Sequence, residues 1–197
     1  MIDGFTYYSG IGSRTTPQDI IERMIEIASS IWTKYHFILR SGHAKGADQA
    51  FELGCDKVKG DKEIYLPWSG FEGSASKYTR PIQEAYDIAK MYYSTIPDRP
   101  PWDGLKPGVR ALIARDSHQV LGPQLTVLSS FVVCWTLDAR FGGGTGYALR
   151  IAVDHSIPVF NLASCTDESI YEYCNNLLLK SRTTRISGAL SITLRSN

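Results

Sequence analysis

Ten residues near the start of the chain decide the predicted fold: residues 5–14, FTYYSGIGSR. Residues 5–9 are mostly aromatic or β-prone and predict a strand. Residues 10–14 carry two glycines, a serine and an arginine, and Pro17 then opens a segment whose apolar residues recur at helical spacing. The segment therefore predicts a strand, a glycine-containing turn and a helix, with Thr16 as the expected N-cap.

Short apolar runs and longer helical patterns alternate along the rest of the chain. Further strands are predicted at 37–39, 63–66, 130–135 and 158–160, and further helices at about 46–57, 81–92, 107–119, 147–154 and 167–179. Such alternation predicts an α/β fold, a doubly wound and mostly parallel sheet with helices on both faces. We expect a single domain at 1–180 and a polar, basic tail at 181–197.

Composition excludes several protein classes. The 197 residues are 43% hydrophobic and 21% charged, which is ordinary for a globular domain and excludes disordered, collagen-like and coiled-coil chains. The net charge is +1, so no global field attracts nucleic acid. The four cysteines show neither zinc spacing nor a disulfide framework, and no targeting or membrane segment is visible. We expect a soluble cytoplasmic protein, in the host cytoplasm if a phage encodes it, without metal, cofactor or membrane contact.

Two glycine-rich loops indicate where a ligand binds. For a strand order of 3-2-1-4-5, the crevice lies beyond the carboxyl ends of the first and fourth strands. Gly12-Ser13-Arg14 follows the first of these strands, and Gly143, Gly144, Thr145 and Gly146 precede the helix after the fourth. Glycine amides at a helix N-terminus favour a phosphate, and Arg14 can bind it bidentately. The alternatives are a tight turn that only glycine permits and an exposed surface arginine.

The end of the second strand supplies further candidates. Ser41, Gly42 and Lys45 suit an anion, and Asp48 suits ribose hydroxyls or general-base chemistry, although it fits equally well as an acidic residue that complements a helix dipole. Arg115, on the helix before the fourth strand, is expected to line the crevice. A nucleobase is expected to stack on a tryptophan, Trp135 or else Trp68 or Trp102, with core packing as the alternative for each.

These strings together resemble the SLOG superfamily, and most of all the Rossmann-type domain of the DNA-processing protein A family. The resemblance rests on Gly12-Ser13-Arg14, on residues 41–48 (SGHAKGAD), on Ala114-Arg115-Asp116 and on the 142–146 loop. The resemblance spans about residues 7–162, and the compact form of the chain resembles the stand-alone versions found in bacteria and their phages. It implies a Rossmann-like fold and, by analogy with these relatives, binding of single-stranded DNA by basic residues around the crevice.

A second branch of the superfamily implies an enzyme. Lonely-guy phosphoribohydrolases cleave the base from a nucleoside monophosphate and carry the signature GGxGTxxE, whose glutamate is catalytic. Here residues 143–146 match the glycines, whereas Tyr147 replaces the threonine and Arg150 replaces the glutamate. The charge at the catalytic position is thus reversed, and Asp48, Glu52 and Asp138 are the acids left to substitute, with Asp48 the weak catalytic candidate.

The sequence therefore predicts a protein that binds a phosphorylated nucleotide or a nucleotide-derived small molecule, as a sensor or a sequestering protein. Whether the chain is an enzyme stays open; the enzymatic alternative is a nucleotide N-glycosidase. The other alternative is binding of single-stranded DNA in recombination. We also expect a homo-oligomer.

Overall fold

Five parallel strands form one sheet within the described part of the chain. The computed structural model describes residues 5–193, with residues 138 and 181–193 described by their backbone alone. The strands are β1 (Tyr7–Gly12), β2 (Ile38–Ser41), β3 (Lys62–Ile64), β4 (Phe131–Trp135) and β5 (Val159–Asn161), in the order β3-β2-β1-β4-β5. The predicted doubly wound strand order is confirmed. Strands β2 and β3 extend the sheet to one side of β1 and the last two strands extend it to the other, so the switch point lies between β1 and β4.

Helices connect the strands and cover the sheet on both faces. They are α1 (Gln18–Tyr35), α2 (Ala47–Lys57), α3 (Gln83–Ser94), α4 (Pro107–Leu121) and α5 (Thr145–Asp154). Residues of strand β1 contact helices on both faces of the sheet. A Cβ at Gly12 would lie 2.6 Å from the Ala47 Cβ of α2, while the Ser9 hydroxyl donates to the Gln119 carbonyl of α4 at 2.7 Å. Glycine on one face of β1 thus allows α2 to pack directly against the strand.

Some boundaries differ from the prediction. Strand β1 continues through Gly12, because residues 8–12 pair in register with β4, so the first glycines belong to the strand. The expected N-cap is wrong: Pro17 occupies that position, and the Thr16 hydroxyl donates to the Ser13 carbonyl at 2.7 Å. Serine and threonine bond local backbone in this way as readily as they cap helices.

The chain divides into two compact units, one ending at Cys165 and one beginning at Thr166. The second contains α6 (Asp167–Thr193). This helix continues well past residue 179, although we expected no regular structure there. The domain boundary at residue 180 falls within α6 and stays a prediction. No helix in the described part of the chain combines the length and apolar character needed to cross a membrane.

Candidate functional site

A cavity of about 850 Å³ opens at the carboxyl ends of β1 and β4. Its walls come from the residues that follow these two strands, from α4, from the start of α5 and from the insert at 95–106 between α3 and α4. The volume falls within the range of roughly 300–1,000 Å³ typical of small-molecule sites. The cavity lies at the switch point of the sheet, where the strand order places a ligand.

The structure brings most of the predicted site residues to this cavity. Those that line it are Gly12, Ser13, Arg14, Asp48, Arg115, Gly143, Gly144 and Thr145. The two glycine-containing loops therefore face one space, although more than a hundred residues separate them. Their role in binding stays a prediction.

Five predicted residues do not line the cavity. Ser41 is buried and donates to the Gly10 carbonyl at 2.6 Å, and Lys45 is 70% exposed and pairs with Glu72 at 3.5 Å. The Gly146 amide donates to the Gly142 carbonyl, so this residue closes the first turn of α5. Trp135 is buried, and Gly42 lies against the guanidinium of Arg115.

The aromatic rings on the cavity wall are tyrosines. Neither Trp135 nor Trp68 nor Trp102 lines the cavity in the described structure, whereas Tyr93 and Tyr147 do. Their rings are nearly parallel, with centroids 6.0 Å apart. A nucleobase at this wall would meet these two tyrosines rather than a tryptophan.

The 142–146 loop presents open backbone. A Cβ at Gly142, Gly143 or Gly144 would meet no atom within 4 Å, and Gly143 adopts a φ of +61°, which favours glycine. In the described part of the chain, no protein acceptor bonds the N–H groups of Gly143, Gly144 or Thr145. Three N–H groups at the start of a helix are a ready site for an anion.

A buried charged cluster forms another part of the cavity wall. Asp48 and Arg115 are each about 95% buried, and the Asp48 Oδ2 accepts from the Arg115 Nη1 at 2.9 Å. The Arg115 Nε lies 3.5 Å from the Asp116 Oδ1 and has no hydrogen-bond partner in the described structure. The Arg115 guanidinium therefore forms ion pairs with two carboxyl groups.

Gln119 connects this cluster to the end of β2. In the amide orientation that satisfies its neighbours, its nitrogen donates to the Asp116 Oδ1 at 3.1 Å. Its oxygen accepts from the Gly42 amide and from the Arg115 Nη1, both at 3.0 Å. The side chains on the wall thus hold each other in fixed positions.

Burial dominates the ionisation of both acids. It raises the pKa of Asp48, against the opposing effect of Arg115. It also raises the pKa of Asp116 to about 7; Arg115 opposes this rise, and the neighbouring Asp48 adds to it. Asp116 therefore exchanges its proton near neutral pH, where a carboxyl group can either donate or accept a hydrogen bond.

Arg150, at the position of the lonely-guy glutamate, lies outside the cavity lining. Its Nη1 donates to the Gly146 carbonyl at 2.9 Å, within its own helix. Glu52 is also absent from the lining and bonds His43 at 2.6 Å and Lys62 at 2.9 Å. The side chain of Asp138 lies outside the described residues.

Several cavity residues were missed from the sequence. Asp116 belongs to the Ala114-Arg115-Asp116 string but was not predicted to line the cavity, and Gln119 follows on the same helix face. Further residues missed are Tyr93, Arg99, Arg140 and Tyr147. The insert that carries Arg99 showed no motif. Among the described residues, no group of three or more His, Cys, Asp or Glu side chains could hold a metal ion.

No protein-family model matches the chain, and neither does any curated protein. Among solved structures, the chain is similar to DNA processing protein A (DprA) from Streptococcus pneumoniae, with a TM-score of 0.52 and 16% sequence identity. The match covers 89% of this chain and 56% of that one, so the chain spans little more than half the length of that protein. At this identity the likeness shows the fold alone, and the predicted Rossmann-like α/β fold is confirmed.

Proposed function

We propose that the protein binds a phosphorylated nucleotide or nucleotide-derived small molecule in the 850 Å³ cavity, as a sensor or sequestering protein of the SLOG type. The observation that carries this proposal is that the N–H groups of residues 143–145, which have no protein acceptor among the described residues, line the same cavity as Ser13 and Arg14. Backbone N–H groups and an arginine together are a typical phosphate site.

The remaining walls suit the rest of a nucleotide. Tyr93 and Tyr147 are largely buried but line the cavity, so the edge of a base is proposed to pack against them. The carboxyl groups of Asp48 and Asp116 provide acceptors for ribose hydroxyls or for an exocyclic amine. Because Arg150 occupies the position of the signature glutamate and bonds its own helix, we propose binding without turnover. The homo-oligomer and the cytoplasmic location stay predictions.

Arg14→Ala tests this function. Calorimetric titration with nucleoside monophosphates and diphosphates should show affinity weakened by about 1.5–3 kcal/mol in the variant, the range for a charge-assisted hydrogen bond. Arg80→Ala is the matched control, because Arg80 is exposed and lies away from the cavity lining. Unchanged affinity in a folded Arg14→Ala protein would remove Arg14 from the site, and absence of any nucleotide binding would refute the function.

Single-stranded DNA is the second candidate ligand. Two observations favour it: the fold likeness to a DNA processing protein, and the exposed Arg14, Arg99 and Arg140 around the cavity. The same titrations over a salt series separate the two candidates. If DNA binds, the logarithm of the binding constant should fall with the logarithm of the salt concentration, with a slope of about 0.7 per phosphate contact. A small ligand held largely by backbone amides should show a weaker salt dependence. Submicromolar binding of oligonucleotides near physiological salt, with a steep slope, would favour DNA.

A further inference from the structure

Three arginines from three separate segments meet at the cavity. Arg14 follows β1, Arg99 belongs to the insert between α3 and α4, and Arg140 lies between β4 and α5. All three are exposed, and none has an ion-pair partner among the described residues. Within the chain, no described carboxylate neutralises them directly. The other charged side chains of the described lining, Asp48, Arg115 and Asp116, are buried, so the exposed charges of the cavity are all positive and concentrate ligands of negative charge.

These arginines act on different parts of the wall. Burial raises the pKa of Asp116, and Arg14 is among the groups that oppose this rise. Burial also raises the pKa of Tyr147, and there the leading opposing group is Arg99. Among the cavity arginines, Arg14 thus acts on a carboxyl group of the wall and Arg99 on a tyrosine.

One phosphate would leave much of this positive charge unmatched. A phosphate monoester carries about −1.5 to −2 at neutral pH, and the 142–145 loop with Arg14 is sufficient to bind it. Arg99 and Arg140 would then remain two unneutralised cations on the same cavity. Two phosphate monoesters would bring the ligand charge to about −3 to −4, which is sufficient to balance the three arginines.

Building on the proposed function, we propose that the ligand is a nucleotide with at least two phosphate groups. The first binds at the 142–145 loop and Arg14, and the second binds at Arg99 and Arg140. The 850 Å³ volume leaves room for a ligand larger than a mononucleotide, such as a nucleoside diphosphate, a nucleoside bisphosphate or a dinucleotide. These candidate ligands all contain a nucleoside and two phosphate groups.

Titrations of the full chain at one fixed, low salt concentration test this proposal. The probes are AMP, ADP, adenosine 3′,5′-bisphosphate and ADP-ribose, with the guanosine, cytidine and uridine mono- and diphosphates as a base series. We expect at least one two-phosphate probe to bind about tenfold or more tightly than its monophosphate, as an added charge-assisted contact would give.

The variants Arg99→Gln and Arg140→Gln should each remove most of this preference, measured as the ratio of the two-phosphate to the one-phosphate affinity, because the second phosphate loses a charge-assisted contact. Arg80→Gln, an exposed control away from the cavity, should leave the preference intact and so excludes a general effect of net charge. Equal affinities for one and two phosphates in the original protein would overturn the proposal while the proposed function stands. So would Arg99→Gln and Arg140→Gln variants that keep the preference. If no nucleotide binds at all, the proposed function fails with it.

Discussion

Asp116 gives a pH-dependent stability that Asp116→Asn should remove. The residue is 94% buried, and its charged neighbours are Arg115 on its own helix, Asp48 from α2 and Arg14 from the β1–α1 segment. Burial raises its pKa from 3.8 to about 7 in the folded protein. An unfolded chain releases this proton near pH 4, whereas the folded protein retains it to about pH 7.

The sign follows from proton counting. Between about pH 4 and pH 7 the folded state binds one proton more than the unfolded state at this site, so the free energy of unfolding falls as pH rises. Above the folded pKa both states are deprotonated, and the loss levels off. A shift of about three pKa units at 1.36 kcal/mol each gives a loss of about 4 kcal/mol. Asparagine has nearly the same shape, keeps an acceptor for Gln119 and does not titrate.

Urea unfolding at a series of pH values from 4.5 to 8.5, followed by tryptophan fluorescence, measures this difference. Relative to the original chain, Asp116→Asn should gain stability progressively toward pH 7–8, by up to about 4 kcal/mol. Asp87→Asn, at an exposed aspartate, controls for the substitution itself. A difference between the two proteins that is flat with pH, or that favours the variant most at low pH, would refute the reasoning.

Two further predictions concern the same wall and the loop beside it. In Gly42→Ala, the added methyl group would overlap the Arg115 guanidinium and separate it from Asp48, so the free energy of unfolding should fall by roughly 3 kcal/mol or more by urea unfolding. Gly104→Ala, whose methyl group meets no atom within 4 Å, should change it little, and equal stability of the two variants would contradict the packing argument. Chromatography of AMP, GMP, CMP or UMP incubated with the protein should show no excess of free base, because Arg150 replaces the signature glutamate; excess base that disappears in Asp48→Asn would instead establish the glycosidase.

The sequence was sufficient for the strand order and for the two loops at the switch point. Apolar runs separated by helical patterns specify parallel strands with crossover helices, and glycines mark the strand ends. This part of the prediction depends on patterns among residues that are close in the sequence, and these patterns can be recognised without knowing the tertiary packing. The cavity residues of the insert depend instead on where residues 95–106 cross the sheet, and no local pattern encodes that path.

Helix α4 shows why Asp116 and Gln119 were missed. Residues 115–119, RDSHQ, are five consecutive polar residues, a run that sequence patterning assigns to a solvated face. In the structure all five are buried. Their burial depends on partners such as Asp48, 67 residues away in the sequence, and Ile82, whose amide donates to His118 at 3.2 Å. A single sequence cannot show pairings of this range.

Burying the polar residues 115–119 costs free energy, and this cost indicates which of them have a role at the cavity. Buried ionic groups are often no more stabilising than apolar residues of similar size, so folding alone does not require Arg115 and Asp116. His118 has a structural role, since it bonds both Ile82 and the end of its own helix at Gly122. Arg115, Asp116 and Gln119 line the cavity instead, at the helical spacing that places them on one face. The buried ionic groups of this run therefore lie on the cavity wall, which is the distribution we would expect if they contact a ligand.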